Sequence, residues 1–183
     1  PGGRGRPAPQ RGGGPGGGGG RARPWADAPL KGRGEPGEGA ARPPRDPAAP
    51  VASYVPTVAV GGLLYISGQV SFVDGKLMTG KVGDSRSEDE GILAAQGCGL
   101  MLIAQMKKAL GSLDRVERIV KLGAFVASTP DFTGQPKIAN GASDLMEAVF
   151  GDAGKHARSA VGVPVLPLDS TVEIDAIVAV KPA

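Results

Sequence analysis

Beyond residue 50 the apolar and polar positions fall into short β-like runs and two longer helical ones. "TVAV" and "LLYISGQV" are rich in β-branched residues and are split by Gly61-Gly62, a pair suited to a tight hairpin turn. "FVDGKLM" holds Asp74-Gly75, a second tight-turn dipeptide. The spacing then predicts a helix. Ser87-Glu88-Asp89-Glu90 fits a capping box with acids set against the helix dipole, and Gly111 ends the run after Leu110. Ile92, Ala95, Gly99, Leu102, Ile103, Met106 and Leu110 share one face of that helix and form the expected core stripe. Gly97 and Gly99, each about 1 kcal/mol less favourable in a helix than alanine, point to close packing of the helix on a sheet.

"VERIVKLGAFVAS" reads as a long strand with Val120, Leu122, Ala124 and Val126 on its apolar face. After the "TPDF" turn, residues from Gln135 to Phe150 read as a second helix, with Pro136 in or just before its first turn. "SAVGVPVL" and "TVEIDAIVAV" complete the chain as two strands joined around Pro167. In the last of these, period two sets Val172, Ile174, Ala176, Val178 and Val180 on a core face. Glu173, Asp175, Ile177 and Ala179 fall on the other. The order β-β-α-β-α-β-β, with both helices able to cover one face of a single sheet, is an α+β layout.

Composition changes this picture at one place. Residues 1–50 contain 15 Gly, 11 Pro, 8 Ala and 8 Arg, and offer one Trp and one Leu to a core. Such a segment buries too little apolar surface to offset its ordering entropy, so a disordered tail is expected over 1–50 and a folded domain over 51–183. The mix is also what GC-rich DNA encodes outside its proper frame, so the tail is expected to be extraneous. Charge divides at the same point. The tail carries nine Lys/Arg against four Asp/Glu, or +5, and the rest twelve against fourteen, or −2. Arginine interleaved with glycine would bind RNA or an anionic surface weakly, whereas the domain is not expected to bind nucleic acid. The tail lacks the apolar core of a secretory signal, and its lack of Ser argues against a transit peptide. No apolar run is long enough to span a bilayer, and a single Cys98 permits no internal disulfide. A cytoplasmic protein without membrane contact is expected.

The candidate chemistry is sparse. One His and one Cys do not make a usual zinc site, so no metal is expected. No phosphate loop, nucleophile elbow or H-E-x-x-H motif occurs. Cys98 reads as a small buried residue rather than a nucleophile. What remains is a polar set around the strands: Tyr54, Ser67, Asn140, Arg158 and Glu173. From spacing alone, Arg158 is a surface arginine, His156 an ordinary loop residue, and Glu173 faces either water or a partner subunit.

"YISGQV" at 65–70, "FVASTPDF" at 125–132, "ARSAVGVPVLP" at 157–167 and "VEIDAIVAV" at 172–180 resemble, in order, the signatures of the Rid family. This is the reactive intermediate deaminase family, also called YjgF, with the older label L-PSP endoribonuclease. The likeness covers roughly 51–183 and is nearest to a bacterial subgroup with "NGASDL" in the second helix, here Asn140 to Leu145. It implies a chorismate-mutase-like fold: one curved mixed sheet with two helices on one face, assembled as homotrimers with clefts between subunits. It implies hydrolysis of an enamine or imine, such as 2-aminoacrylate, to a 2-keto acid and ammonia, without a cofactor.

The resemblance assigns roles residue by residue. Arg158 would grip the substrate carboxylate through two parallel charge-assisted hydrogen bonds. Glu173 would hold the attacking water. The backbone of Ala160 would add substrate contacts, and Tyr54 and Ser67 would line the cleft. Two departures stand out. Ala160 occupies a position where many deaminating members carry Cys. Asn140 follows Phe132 by eight residues where the family spacing is about four, so either Asn140 or Ser143 fills the helix position. The alternatives are a cleft that binds a small carboxylate without turnover, and a ribonuclease or RNA-associated protein.

Overall fold

Gly61 and Gly62 take φ of 57° and 76°, the left-handed pair that a two-residue hairpin loop requires, and so join β1 (Thr57–Val60) to β2 (Leu63–Val70). The computed structural model describes Gly2 and residues 53–182. The chain divides into two units, Pro1–Lys31 and Gly32–Ala183, and every described element lies in the second. The expected disorder of residues 1–50 falls, Gly2 apart, outside the described residues.

Asp74 and Gly75 likewise take positive φ and close a small hairpin of β3 (Phe72–Val73) and β4 (Lys76–Leu77). This separate two-stranded piece is an addition to the predicted order. The chain continues through α1 (Glu88–Leu110), β5 (Val116–Ala127), α2 (Gln135–Phe150), β6 (Ala157–Val163) and β7 (Val172–Val180). The main sheet has five strands in the order β1-β2-β7-β5-β6. Its only parallel pair is β5 with β6, which α2 connects; the other pairs are antiparallel. Two helices and a mixed sheet give the expected α+β class.

α1 begins as its sequence predicts. The Ser87 hydroxyl accepts from Glu90 N–H at 3.2 Å while Ser87 N–H donates to the Glu90 carboxylate at 2.9 Å. Its buried arc differs from the expected stripe. Gly91, Ala94, Ala95, Cys98, Leu102, Gln105 and Met106 are buried, whereas Ile92, Ile103 and Leu110 pack only partly against the core. The cause is that α1 packs on two sides, so its buried arc centres on small residues. A β-carbon at Gly97 would stand 2.4 Å from the Phe72 carbonyl oxygen, and one at Gly99 would stand 3.0 Å from Leu145 Cδ2. These glycines therefore admit the small hairpin and α2, not the main sheet.

β5 also departs from simple alternation. Register shifts between Val116 and Arg118 and between Ile119 and Lys121 mark bulges, each of which moves the strand's phase by one residue. Ile119 enters the core fully, and the predicted core residue Val120 is 37% exposed. β7 keeps its period: Val172, Ile174, Ala176 and Val178 are buried beneath the helices, as expected. Cys98 is buried there too, donates weakly to the Val172 carbonyl at 3.4 Å, and has its thiol pKa pushed up by burial. Among the described residues no helix is long and apolar enough to cross a membrane.

Candidate functional site

β6 lies at the edge of the sheet, with Arg158 opposite Leu122 and Ala160 opposite Ala124. Residues paired across strands share a face, so Arg158 and Ala160 lie on the helix-covered side. From there the Arg158 guanidinium reaches α2. Nη1 donates to Asn140 Oδ1 and to Ser143 Oγ, both at 2.9 Å, and Nη2 donates to the Pro136 carbonyl at 3.0 Å. Positions 136, 140 and 143 recur at helical spacing, so one stripe of α2 receives all three bonds.

Two consequences follow from the chemistry of these groups. A guanidinium has five N–H donors and no acceptor. Three are engaged among the described residues, which leaves Nε–H and one Nη2–H, spaced to meet the two oxygens of a carboxylate. Asn140 must present its carbonyl oxygen to Arg158, so its NH₂ group is turned away and remains available as a further donor. The two sequence alternatives for the helix position both touch the arginine: Asn140 and Ser143 hold it jointly. No carboxylate pairs with Arg158 among the described residues.

A second group forms around a bulge in β2, where the register with β7 shifts between Ile66 and Gln69. Ser67 pins the segment beside Tyr54: its N–H donates to the Pro56 carbonyl at 3.0 Å and its hydroxyl to the Val55 carbonyl at 2.9 Å. Tyr54 itself is half exposed. The amide of Gln69 ties the bulge by donating to the carbonyls of Ser67 and Gly68, at 2.9 and 3.2 Å. Gln105, buried in α1, donates in turn to Gln69 Oε1 at 3.3 Å. Sequence reading missed Gln105, because a polar residue on a helix's buried face carries no local signal of its partner.

The carboxylate of Glu173 lies against Gly68 in this bulge. It is half-buried and accepts no hydrogen bond among the described residues. Burial pushes its pKa above the usual carboxylate range, and the neighbouring Asp175 adds to the shift. Asp175 is raised by burial as well, partly offset by the Gly123 N–H and by Lys121. A half-buried carboxylate of raised pKa with no donor is suited to take a proton from a bound water.

Glu173 pairs with Phe125, which pairs with Val161, and this row lies on the face opposite the helices. Arg158 belongs to the row of Leu122 and Ala176 on the covered face. The rows stand three residues apart along β5, roughly 10 Å, and β6 is two strands from β7, again roughly 10 Å. One chain therefore unites Arg158, Asn140 and Ala160 at the β6 edge, and Ser67 and Glu173 at the β2–β7 bulge beside Tyr54's segment. It does not bring the two groups together.

The chain matches, over residues 40–179, the family described as "YjgF/chorismate_mutase-like, putative endoribonuclease". It is 52% identical over 133 residues to Protein TCP17 of Trypanosoma cruzi, covering 72% of this chain and 83% of that one. The crystal structure of Atu1372 from Agrobacterium tumefaciens, a protein with unknown function, superposes with a TM-score of 0.70 at 45% identity. It covers 73% of this chain and 87% of its own. A 2-iminobutanoate/2-iminopropanoate deaminase of Dermatophagoides farinae is 28% identical over 135 residues, or 72% of this chain and 89% of that protein. With the α+β architecture, the family match identifies this chain as a member of the YjgF/Rid family.

Proposed function

We propose that the protein hydrolyses small 2-imino acids to 2-keto acids and ammonia, in sites that two copies of the chain complete together. The observation that carries this reading is the state of Arg158: α2 holds its guanidinium at three points and leaves a carboxylate-binding edge open. The deaminase among the relatives acts on substrates of that class.

In this reading the substrate carboxylate takes Nε–H and Nη2–H of Arg158, and the Asn140 amide adds a third donor. This orients C2 of the C=N group. An enamine first tautomerises to the imine. A water held by Glu173 then adds its oxygen to C2 while one of its protons passes to the carboxylate and from there to the imine nitrogen, giving a carbinolamine with Glu173 ionised again. The carbinolamine collapses: Glu173 takes the hydroxyl proton, the O–H electron pair forms the C=O bond, the C–N bond breaks with its pair on nitrogen, and Glu173 passes the proton to that nitrogen, which leaves as ammonia. The keto acid remains on Arg158.

Because Glu173 and Arg158 lie on opposite faces of one sheet, the reading requires the Glu173 group of one copy to face the Arg158 group of another, as in the homotrimer implied by the family. Phe125, Tyr65 and Val161, exposed on the Glu173 face, supply apolar surface for that contact. The test is the decay of 2-iminobutanoate generated in situ by a dehydratase, followed with the full chain and with Arg158→Ala. Faster decay with the wild type and none with the variant supports the assignment. Equal rates would overturn it, and ligand binding without faster decay would make the protein a carboxylate-binding member.

A further inference from the structure

His156 immediately precedes β6, two residues before Arg158, and both side chains reach the hydroxyl of Ser143. Its ring meets two groups. Nδ1 lies 2.6 Å from the Gly154 carbonyl oxygen and Nε2 lies 3.0 Å from Ser143 Oγ. A carbonyl oxygen only accepts, so Nδ1 carries the proton. In the neutral ring Nε2 is then an acceptor, and the Ser143 hydroxyl donates to it. Arg158 only donates, so the same hydroxyl oxygen receives Nη1–H at 2.9 Å. Donors and acceptors run one way, from Arg158 to Ser143 to His156 to Gly154.

We propose that His156 is a positioning residue for the carboxylate grip, orienting the Ser143 hydroxyl so that its lone pair faces Arg158. The proposal rests on the reading of Arg158 given above and extends it to a residue that touches no substrate. Without an acceptor at Nε2, a helical serine turns its hydroxyl toward the carbonyl four residues earlier in its own helix. Its lone pairs then leave the Nη1 direction, one of three restraints is lost, and the guanidinium can swing its open edge. The other end of the chain of bonds is rigid. Gly154 ends the short 3₁₀ turn Gly151–Gly154, and a β-carbon there would stand 2.1 Å from the Met146 carbonyl oxygen. The turn thus packs directly on the backbone of α2, and the histidine's anchor moves with the helix that holds Arg158.

The experiment is titration of the full chain with 2-oxobutanoate, a product-class carboxylate, together with imine turnover, in four single variants and one double variant. His156→Asn keeps a donor for Gly154 but falls short of Ser143; His156→Gln places an acceptor near the Nε2 position. Arg158→Ala and Ser143→Ala complete the set. Loss of one ordinary hydrogen bond, that between His156 and Ser143, predicts binding weakened roughly three- to tenfold in His156→Asn, and retained within about twofold in His156→Gln. The His156→Asn/Ser143→Ala double variant should bind no more weakly than Ser143→Ala alone, because both act along one chain of bonds. Wild-type affinity in His156→Asn, equal weakening in both histidine variants, or additive losses in the double variant would each overturn the proposal. If Arg158→Ala itself bound normally, the grip would fail, and the two failures are thereby distinguished. Imidazole ¹⁵N NMR of the wild type gives a check independent of any variant's folding: the Nδ1–H tautomer is expected, and the Nε2–H tautomer would refute the arrangement.

Discussion

The carboxylate of Glu173 rests on the bare α-carbon of Gly68, where a methyl group would stand 1.9 Å from Oε1 and 2.8 Å from Cδ. The obstructing atoms are the far end of a flexible side chain, so Gly68→Ala displaces the carboxylate rather than the strand. We expect stability within about 1 kcal/mol of wild type, helped by the lower entropy of the unfolded chain. Imine turnover should fall roughly a hundredfold, the scale of one general base. Thermal melting and the decay assay on the same preparation check this. Parallel loss of both would mean that the glycine serves packing alone.

Glu173→Gln separates stability from activity in another way. Burial raises the folded-state pKa of Glu173 above its ordinary value. Its contribution to stability is therefore present below the ordinary carboxylate pKa and lost as pH rises through the folded value. The variant, which never ionises, should melt no lower than wild type at pH 7. The difference should close below about pH 4, where the carboxyl is neutral in both states. Turnover should be lost at every pH, and the acid limb of the wild-type pH–rate profile should lie above the usual glutamate range.

Replacement of Arg158 should act on substrate binding more than on the fold. Arg158→Lys keeps the charge, but one ammonium cannot serve three acceptors on α2 and two carboxylate oxygens together. KM should rise about tenfold or more in Arg158→Lys. In Arg158→Ala, kcat/KM should fall roughly a hundredfold or more, from loss of two charge-assisted bonds. Steady-state kinetics distinguishes this from a uniform loss of active protein, which would lower the apparent kcat alone.

Subunit mixing tests where the two groups meet. Arg158→Ala and Glu173→Gln are each expected to be inactive. If a site takes its arginine from one copy and its glutamate from the next, co-refolded equimolar variants should regain about a quarter of wild-type activity in a cyclic oligomer. No recovery in demonstrably mixed oligomers would place both residues' function within a single chain, against the face assignment.

Much of this protein is legible locally. The capping box at Ser87, the limits of α2, the Gly61-Gly62 and Asp74-Gly75 turns of the hairpins and the alternation of β7 were all expected and are all present. Each depends on residues close in sequence, whose torsional preferences and periodicity act without knowledge of the rest of the fold. Val120 shows where that reading ends. A bulge is set by hydrogen bonds to the neighbouring strand, so the phase of β5 changed where its own residues gave no sign. Gln105 and His156 are similar, because the worth of a buried amide or a loop imidazole depends on partners 36 and 13 residues away.

By itself, then, the sequence determined which segments are helices and strands, which face of β7 is core, and which few polar residues were candidates. Only the tertiary structure decided how those candidates divide. Cross-strand register sends Arg158 to the covered face and Glu173 to the open one, and α2 meets the arginine with Asn140 and Ser143 together. Register is a long-range property, set by hydrogen bonds between strands distant in the chain. Residue spacing within one strand states only that successive side chains alternate, not which side of the sheet each will finally occupy.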